Sequence, residues 1–179
     1  LFGVFYNGRR MKQENDAELV ARSRRGDLGA FDALVARHIG ALTSFCRRMT
    51  RNAEEAEELV QESFIAAYDR LALLRDGGAF GSWLVTICLN KFRSGKRRQR
   101  RETTMLDNLR CETPMTTETS FGTEGELDIV VKEKLLALPN RQREVMALHL
   151  YRDLSYRQIA DLLGCTYADV KVNVSLARK

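Results

Sequence analysis

From residue 16 onward, apolar positions recur every three or four residues, the period of helices that bury one face. Leu19 and Val20 belong to the first helix, which Asp16 is placed to cap and Gly26-Asp27 interrupts. Phe31, Leu34, Val35, Ile39, Leu42, Phe45 and Cys46 form the apolar face of a second. Asn52 is placed to cap a third, in which Glu54, Glu55, Glu57 and Glu58 precede Leu59, Val60, Phe64, Ile65, Tyr68 and Leu71. Those acids suit the positive end of the helix dipole. Arg75-Asp76-Gly77-Gly78 has turn chemistry. The next helix carries Phe80, Trp83, Leu84, Ile87, Leu89 and Phe92 and runs into Lys91, Arg93, Lys96, Arg97, Arg98, Arg100 and Arg101.

The pattern then stops. Residues 102–127 are rich in Thr and Glu, contain Pro114, Gly122 and Gly125, and show no apolar period, as expected of a flexible linker. Periodicity resumes with Ile129, Val130, Leu135, Leu136 and Leu138, which predict a helix ended by Pro139. Asn140 is placed to cap the next, with Val145, Met146, Leu148 and Leu150 inside. Ser155 starts a short helix containing Ile159, Leu162 and Leu163, Gly164 turns the chain, and Thr166 starts a last helix with Val170 and Val174 apolar. The predicted fold is all-α: an N-terminal extension (1–15), a helical domain (16–101), the linker (102–127) and a second helical domain (128–179) ending in a helix-turn-helix.

Composition supports helices, with only two prolines and 8% aromatic residues among 179. The net charge of +5 is unevenly spread. Residues 1–101 carry 19 bases and 12 acids, residues 102–128 one base and seven acids, and residues 129–179 nine bases and five acids. Two basic blocks around an acidic stretch suggest two contacts with a polyanion, or simply an uneven soluble surface. The acidic linker is also placed to fold back on the basic blocks. Cys46, Cys88, Cys111 and Cys165 lack zinc-type spacing, and all but Cys111 occupy apolar helical settings, so reduced thiols in a cytoplasmic protein are expected. No apolar run approaches the roughly 18 residues of a membrane span, and Leu1–Tyr6 lacks a signal peptide's layout. Leu rather than Met stands first, which points to a fragment or a processed form.

Ser155 to Arg178 has the helix-turn-helix pattern: small Ala160 at the crossing, Gly164 at the turn, and Ile159, Leu163, Val170 and Val174 to lock the helices. Its last helix would enter a major groove with Tyr167, Ala168, Lys171, Val172 and Ser175 outward and Asp169 and Asn173 at the flanks. Asn suits adenine, and Lys suits guanine or phosphate. An ordinary helical hairpin has the same spacing. In residues 75–101, Phe80 and Trp83 beside a basic helix suit unstacked single-stranded DNA, where a base on a ring is worth about 1–3 kcal/mol; equally, both rings fit a core and the basic run fits a solvated tail. The acidic helix 54–64 is either a solvated face or a dock for a basic partner. His38 and His149 sit within helices, and no metal, nucleophile or phosphate-loop arrangement exists, so neither catalysis nor a cofactor is expected.

The amphipathic pair followed by AEELVQESFIAAYDRL and AFGSWLVTICLNKFRSGKRR, then LLALPNRQREVMALHLYRDLSYRQIADLLGC and DVKVNVSLARK, resembles the extracytoplasmic-function (ECF) sigma factors, minimal members of the sigma-70 family. The similarity covers residues 16–101, as sigma region 2, and 128–179, as region 4. It implies a dissociable, non-catalytic subunit of RNA polymerase that recognises −10 and −35 promoter elements, melts the promoter and starts transcription. Glu58, Leu59, Val60, Gln61, Glu62 and Phe64 would bind the clamp helices of the polymerase largest subunit, and the flap of the second-largest subunit is a further implied contact. Arg75, Gly78, Ala79, Phe80 and Ser82 would capture a flipped −10 base, with Asn90, Lys91, Arg93, Lys96 and Arg97 on the helix that contacts the same element. Thr166, Tyr167, Asp169, Lys171, Val172, Asn173, Ser175 and Arg178 would meet −35 duplex. An inhibitory anti-sigma factor is also implied. Two departures stand out: Val172-Asn173 replaces a basic or polar run, and Gly81 replaces a larger residue. The competing functions are a dimeric helix-turn-helix regulator acting without polymerase, which would ordinarily need a sensor domain, and an enzyme acting on nucleic acid.

Overall fold

The structure, a computed structural model, describes residues 14–106, 126–151 and 154–178. Among them are eight α-helices: α1 (Asp16–Ser23), α2 (Leu28–Met49), α3 (Ala53–Asp69), α4 (Phe80–Leu106), α5 (Glu126–Ala137), α6 (Asn140–His149), α7 (Tyr156–Leu163) and α8 (Tyr167–Ala177). Two 3-10 turns, Leu71–Leu73 and Gly77–Ala79, join α3 to α4. The described residues contain no strand, in keeping with the all-α expectation.

Helix starts follow local chemistry, with two corrections. Asn15, not Asp16, caps α1: its backbone is extended, its side chain accepts from the Glu18 N–H at 2.9 Å, and Glu18 accepts from the Asn15 N–H in return. Asp16 is therefore the first helical residue, and its carboxylate is free to reach α2. Pro139, not Asn140, holds the cap position of α6, because its fixed φ of −52° with extended ψ already points the chain into a helix. Asn52, Ser155 and Thr166 cap their helices as expected.

Two further boundaries move. Helix α4 continues to Leu106, past residue 101, and α5 begins at Glu126, so both ends of the expected linker are helical. The rest of that linker, its possible fold-back, Cys111 and residues 1–13 lie outside the described residues.

The core is organised around α2, which packs against α1, α3 and α4 and also against α5 and α6. Leu34, Leu42, Phe45 and Cys46 are fully buried, but Ile39 is exposed and His38 takes the buried slot beside it. Ile65 of α3 and Leu150 after α6 likewise face solvent. One hydrophobic cluster runs from Leu19 to Val174, so the two predicted domains share a core. Phe45 of α2 meets Tyr151 edge-on at 5.7 Å between ring centroids.

Two arginines complete the packing. Arg143 donates to the carbonyls of Leu135, Leu136 and Leu138 at 2.8–3.0 Å, satisfying acceptors that the end of α5 leaves open. Burial, and then the neighbouring charge of Arg51, push its guanidinium pKa down. Arg24 binds the carbonyls of Leu71 and Leu74, fixing the first 3-10 turn to α1. Cys46 and Cys88 bring their Sγ atoms to 3.4 Å in the interior between α2 and α4.

Candidate nucleic-acid interface

Helix α3 divides its sequence between two faces. Ala56, Leu59, Val60, Ser63, Phe64 and Ala67 are buried, whereas Glu54, Glu57, Glu58, Gln61 and Glu62 are exposed. Of the expected polymerase contacts, Glu58, Gln61 and Glu62 are therefore on the surface. Leu59 and Phe64 point inward and belong to the core that holds that surface. Glu62 pairs with Lys91 at 3.1 Å and Glu55 with Lys96 at 3.0 Å across an open groove of about 310 Å³ between α3 and α4. Lys96 also lies 5.6 Å from the centre of the Phe92 ring.

The loop before α4 is held on both sides. Asp76 Oδ1 accepts from the Gly78 N–H at 2.9 Å. Gly77 lies against α1, where a Cβ would come within 2.8 Å of the Ala17 Cα. Arg75 and Gly78 are exposed, Ala79 and Ser82 half-buried, and Ser82 Oγ donates to the Ala79 carbonyl at 2.9 Å. Phe80 is wholly buried, with its ring edge-on to His38 at 5.2 Å, so it is not presented as a stacking platform. Its position at the start of α4, where the chain turns back over α1 and α2, drives the ring inward. Trp83 is half-buried and is the one of the two rings that reaches the surface.

His38 anchors this corner. It is 1% exposed, and its Nε2 lies 2.7 Å from Asp16 Oδ2. Asp16 also receives Arg37 at 2.5 Å. A Cβ on Gly81 would sit 3.0 Å from His38 Cε1 and 3.2 Å from Nδ1, so a larger residue there would crowd the buried imidazole.

Further along α4, Asn90 and Arg97 are exposed, Lys91 and Lys96 are paired with α3, and Arg93 turns toward α6. Arg93 donates to both carboxylate oxygens of Glu144, from Nε at 2.9 Å and from a terminal nitrogen at 2.7 Å. This contact holds the guanidinium pKa above its usual value. Glu144 was missed in the sequence; the available signal was an acid in phase with Leu148 on a buried helix face.

The helix-turn-helix is built from two reciprocal caps. Ser155 and Gln158 close the start of α7, and Thr166 and Asp169 close the start of α8. Gly164 takes the left-handed conformation (φ 60°) that the sharp turn requires. Ile159, Ala160, Leu163, Val170 and Val174 are buried, and α8 also packs on α6. Tyr167, Ala168, Lys171, Val172 and Ser175 all face solvent as expected, joined by Arg178 and by Leu176, which sequence reasoning missed. Asp169 and Asn173 are committed within the helix. The Asp169 carboxylate accepts from the Thr166 N–H at 2.9 Å and from its hydroxyl at 2.8 Å, which holds its pKa down. Asn173 Nδ2 donates to the Asp169 carbonyl at 2.7 Å.

Among the described residues, helices without strands, a capped helix-turn-helix and a basic fourth helix match the class of nucleic-acid-binding proteins. Comparison with known proteins narrows it. The family model for Sigma-70 region 2 matches residues 34–102, and that for Sigma-70, region 4 matches residues 129–179. The RNA polymerase sigma-H factor of Pseudomonas aeruginosa is 30% identical over 94% of this chain and 93% of its own length. The ECF RNA polymerase sigma factor SigM of Mycobacterium tuberculosis is 30% identical over 98% and 86%. Among solved structures, CnrH in complex with the cytosolic domain of CnrY aligns with a TM-score of 0.68 at 27% identity, over 92% of this chain and 93% of that one. The sigma factor RpoE bound to the anti-sigma factor NepR from Bartonella quintana aligns at 0.67 and 28%, over 83% and 91%. The chain belongs to the ECF sigma factors of the sigma-70 family. No helix among the described residues is long and apolar enough to cross a membrane.

Proposed function

We propose that this chain works in the cytoplasm as the dissociable promoter-specificity subunit of RNA polymerase, with no catalytic step of its own. The exposed edge of α3, centred on Glu58, Gln61 and Glu62, docks on the clamp helices of the largest subunit, and the helices of residues 128–179 meet the flap of the second-largest. The loop Arg75–Ala79 with Ser82, and the α4 side chains Asn90, Lys91, Arg93, Lys96 and Arg97, take the −10 element. The α8 face takes the −35 duplex. An anti-sigma factor holds the chain inactive, a reading supported by the similar sigma factor RpoE having been solved in complex with the anti-sigma factor NepR.

The observation that carries this reading is a division of labour within one core. An acidic α3 edge and a basic α4 are presented by the same packed helices, while α8 stands on a separate, doubly capped turn. A regulator that binds duplex on its own has no use for the first of these.

The test is transcription from a promoter library by core polymerase with and without the purified chain. Start sites that depend on the chain are expected. Glu58→Arg with Gln61→Arg should weaken core binding with little change in thermal stability, since both side chains are exposed and outside the Glu62–Lys91 pair. Chain-independent start sites, with binding to palindromic duplex in the absence of polymerase, would instead establish the dimeric regulator.

A further inference from the structure

We propose that α8 reads thymine methyl groups, and that Val172 is the residue that sets this preference. The inference rests on the −35 reading of α8 above. Positions four apart lie along one line of a helix, and on the outward line of α8 stand Ala168, Val172 and Leu176. Val172 is 55% exposed and Leu176 48%. Val170 and Val174 fill the opposite, buried face. The helix is thus apolar on the side it packs and again on the side it presents.

The amide and carboxylate of α8 do not offset this, and Ser175 and Tyr167 are exposed beside the apolar line rather than on it. A carboxamide reads adenine by offering its nitrogen and oxygen together, but Asn173 is half-buried and its nitrogen is bonded back to the Asp169 carbonyl. Asp169 is held by Thr166. Lys171 and Arg178 are exposed toward the rim of the apolar line, and Arg157 is exposed on α7. Cations at the edge and hydrocarbon at the centre match a duplex groove, where phosphates flank the base edges. The apolar group that a base pair offers in the major groove is the C5-methyl of thymine. Val172, near the middle of the outward line, meets it with two methyl groups, and β-branching leaves its side chain one strongly preferred rotamer in a helix.

The experiment uses holoenzyme, the full chain with core polymerase, on a promoter duplex selected by that holoenzyme. Each −35 thymine is replaced in turn by deoxyuridine, which deletes the methyl and leaves hydrogen bonding unchanged. At one position the wild type should lose about fourfold in affinity, the worth of one buried methyl-sized group. Val172→Ser should bind the thymine duplex more weakly and be indifferent to the replacement at that position, while keeping its response at −10 thymines. Its melting temperature should match the wild type because the site is exposed, and Val172→Ala provides a second variant with the same expectation. The proposal is overturned if no −35 thymine responds to loss of its methyl, or if both variants keep the full response. Failure of the sigma reading itself looks different: no selected promoter is bound in a chain-dependent way.

Discussion

Arg93 of α4 and Glu144 of α6 grip one another through two parallel hydrogen bonds, although 51 residues separate them. The Arg93 side chain is 29% exposed and that of Glu144 only 9%, so the pair is partly withdrawn from water. An arginine expected on −10 DNA is thereby held by the half of the chain expected on −35 DNA. Paired, planar donors of this kind are stronger than ordinary hydrogen bonds.

Glu144→Gln should loosen the contact between the two halves. The neutral amide keeps the shape but loses the charge-assisted bonds, for a cost of about 1–3 kcal/mol. A fluorophore pair on α4 and α8 should report a longer or broader distance, and Arg93 should become available to nucleic acid. An unchanged distance distribution would remove the pair as a latch.

Gly81→Leu should destabilise the fold by about 1–3 kcal/mol, the usual range for overpacking. The clash is with the buried His38 ring. Shortening that ring in the double variant Gly81→Leu with His38→Ala should therefore recover part of the loss, even though His38→Ala alone also destabilises. Denaturant midpoints of the three variants settle the coupling; strict additivity would show that the clash lies elsewhere.

Ser155→Ala and Thr166→Ala should each cost about 1 kcal/mol through loss of an N-cap. The Thr166–Asp169 box adds a pH dependence of known sign. The Asp169 pKa is lowered in the folded chain, so its contribution is present above the unfolded value of about 3.9 and disappears as pH falls through the lower folded value. Asp169→Asn should be less stable than the wild type at neutral pH, and the gap should narrow in acid. A gap that is constant with pH would contradict the assignment.

Cys46 and Cys88 should resist thiol reagents in the native chain and react on unfolding. Both are buried, and the Sγ–Sγ hydrogen-bonding contact with Cys88, followed by burial, favours the protonated Cys46 thiol and pushes its pKa up, away from the reactive thiolate form. Half-buried Cys165 should label ahead of them. Mass spectrometry after timed alkylation gives the order directly, and early labelling of Cys46 would refute the prediction.

The helices and the turn of the helix-turn-helix were legible because their signals are local. Ser155 and Thr166 cap through backbone groups three residues on, Gly164 turns the chain through its own φ, and the apolar period needs only the helix itself; the return bonds from Gln158 and Asp169 emerged only in the structure. The errors arose where two neighbours compete for one role. Asn15 and Asp16 could both cap α1, and Asp16 is drawn instead to His38 and Arg37, which lie 22 and 21 residues away in the chain. Phe80 and Trp83 could both serve DNA, and the packing of α4 over α1 and α2 buries the first.

The sequence by itself determined the order of the helices, the caps at Asn52, Ser155 and Thr166, and most of each apolar face, because those properties depend on period, dihedral preference and hydrogen bonds between near neighbours. Tertiary structure decided which polar residues remain available. Leu59 and Phe64 turn inward beneath Glu58, Gln61 and Glu62; Arg93 closes on Glu144; and Val172 is left outward at the centre of α8 while Asn173 is tied back. Burial and ion pairing join groups that are distant in the chain, and no local pattern carries that distance.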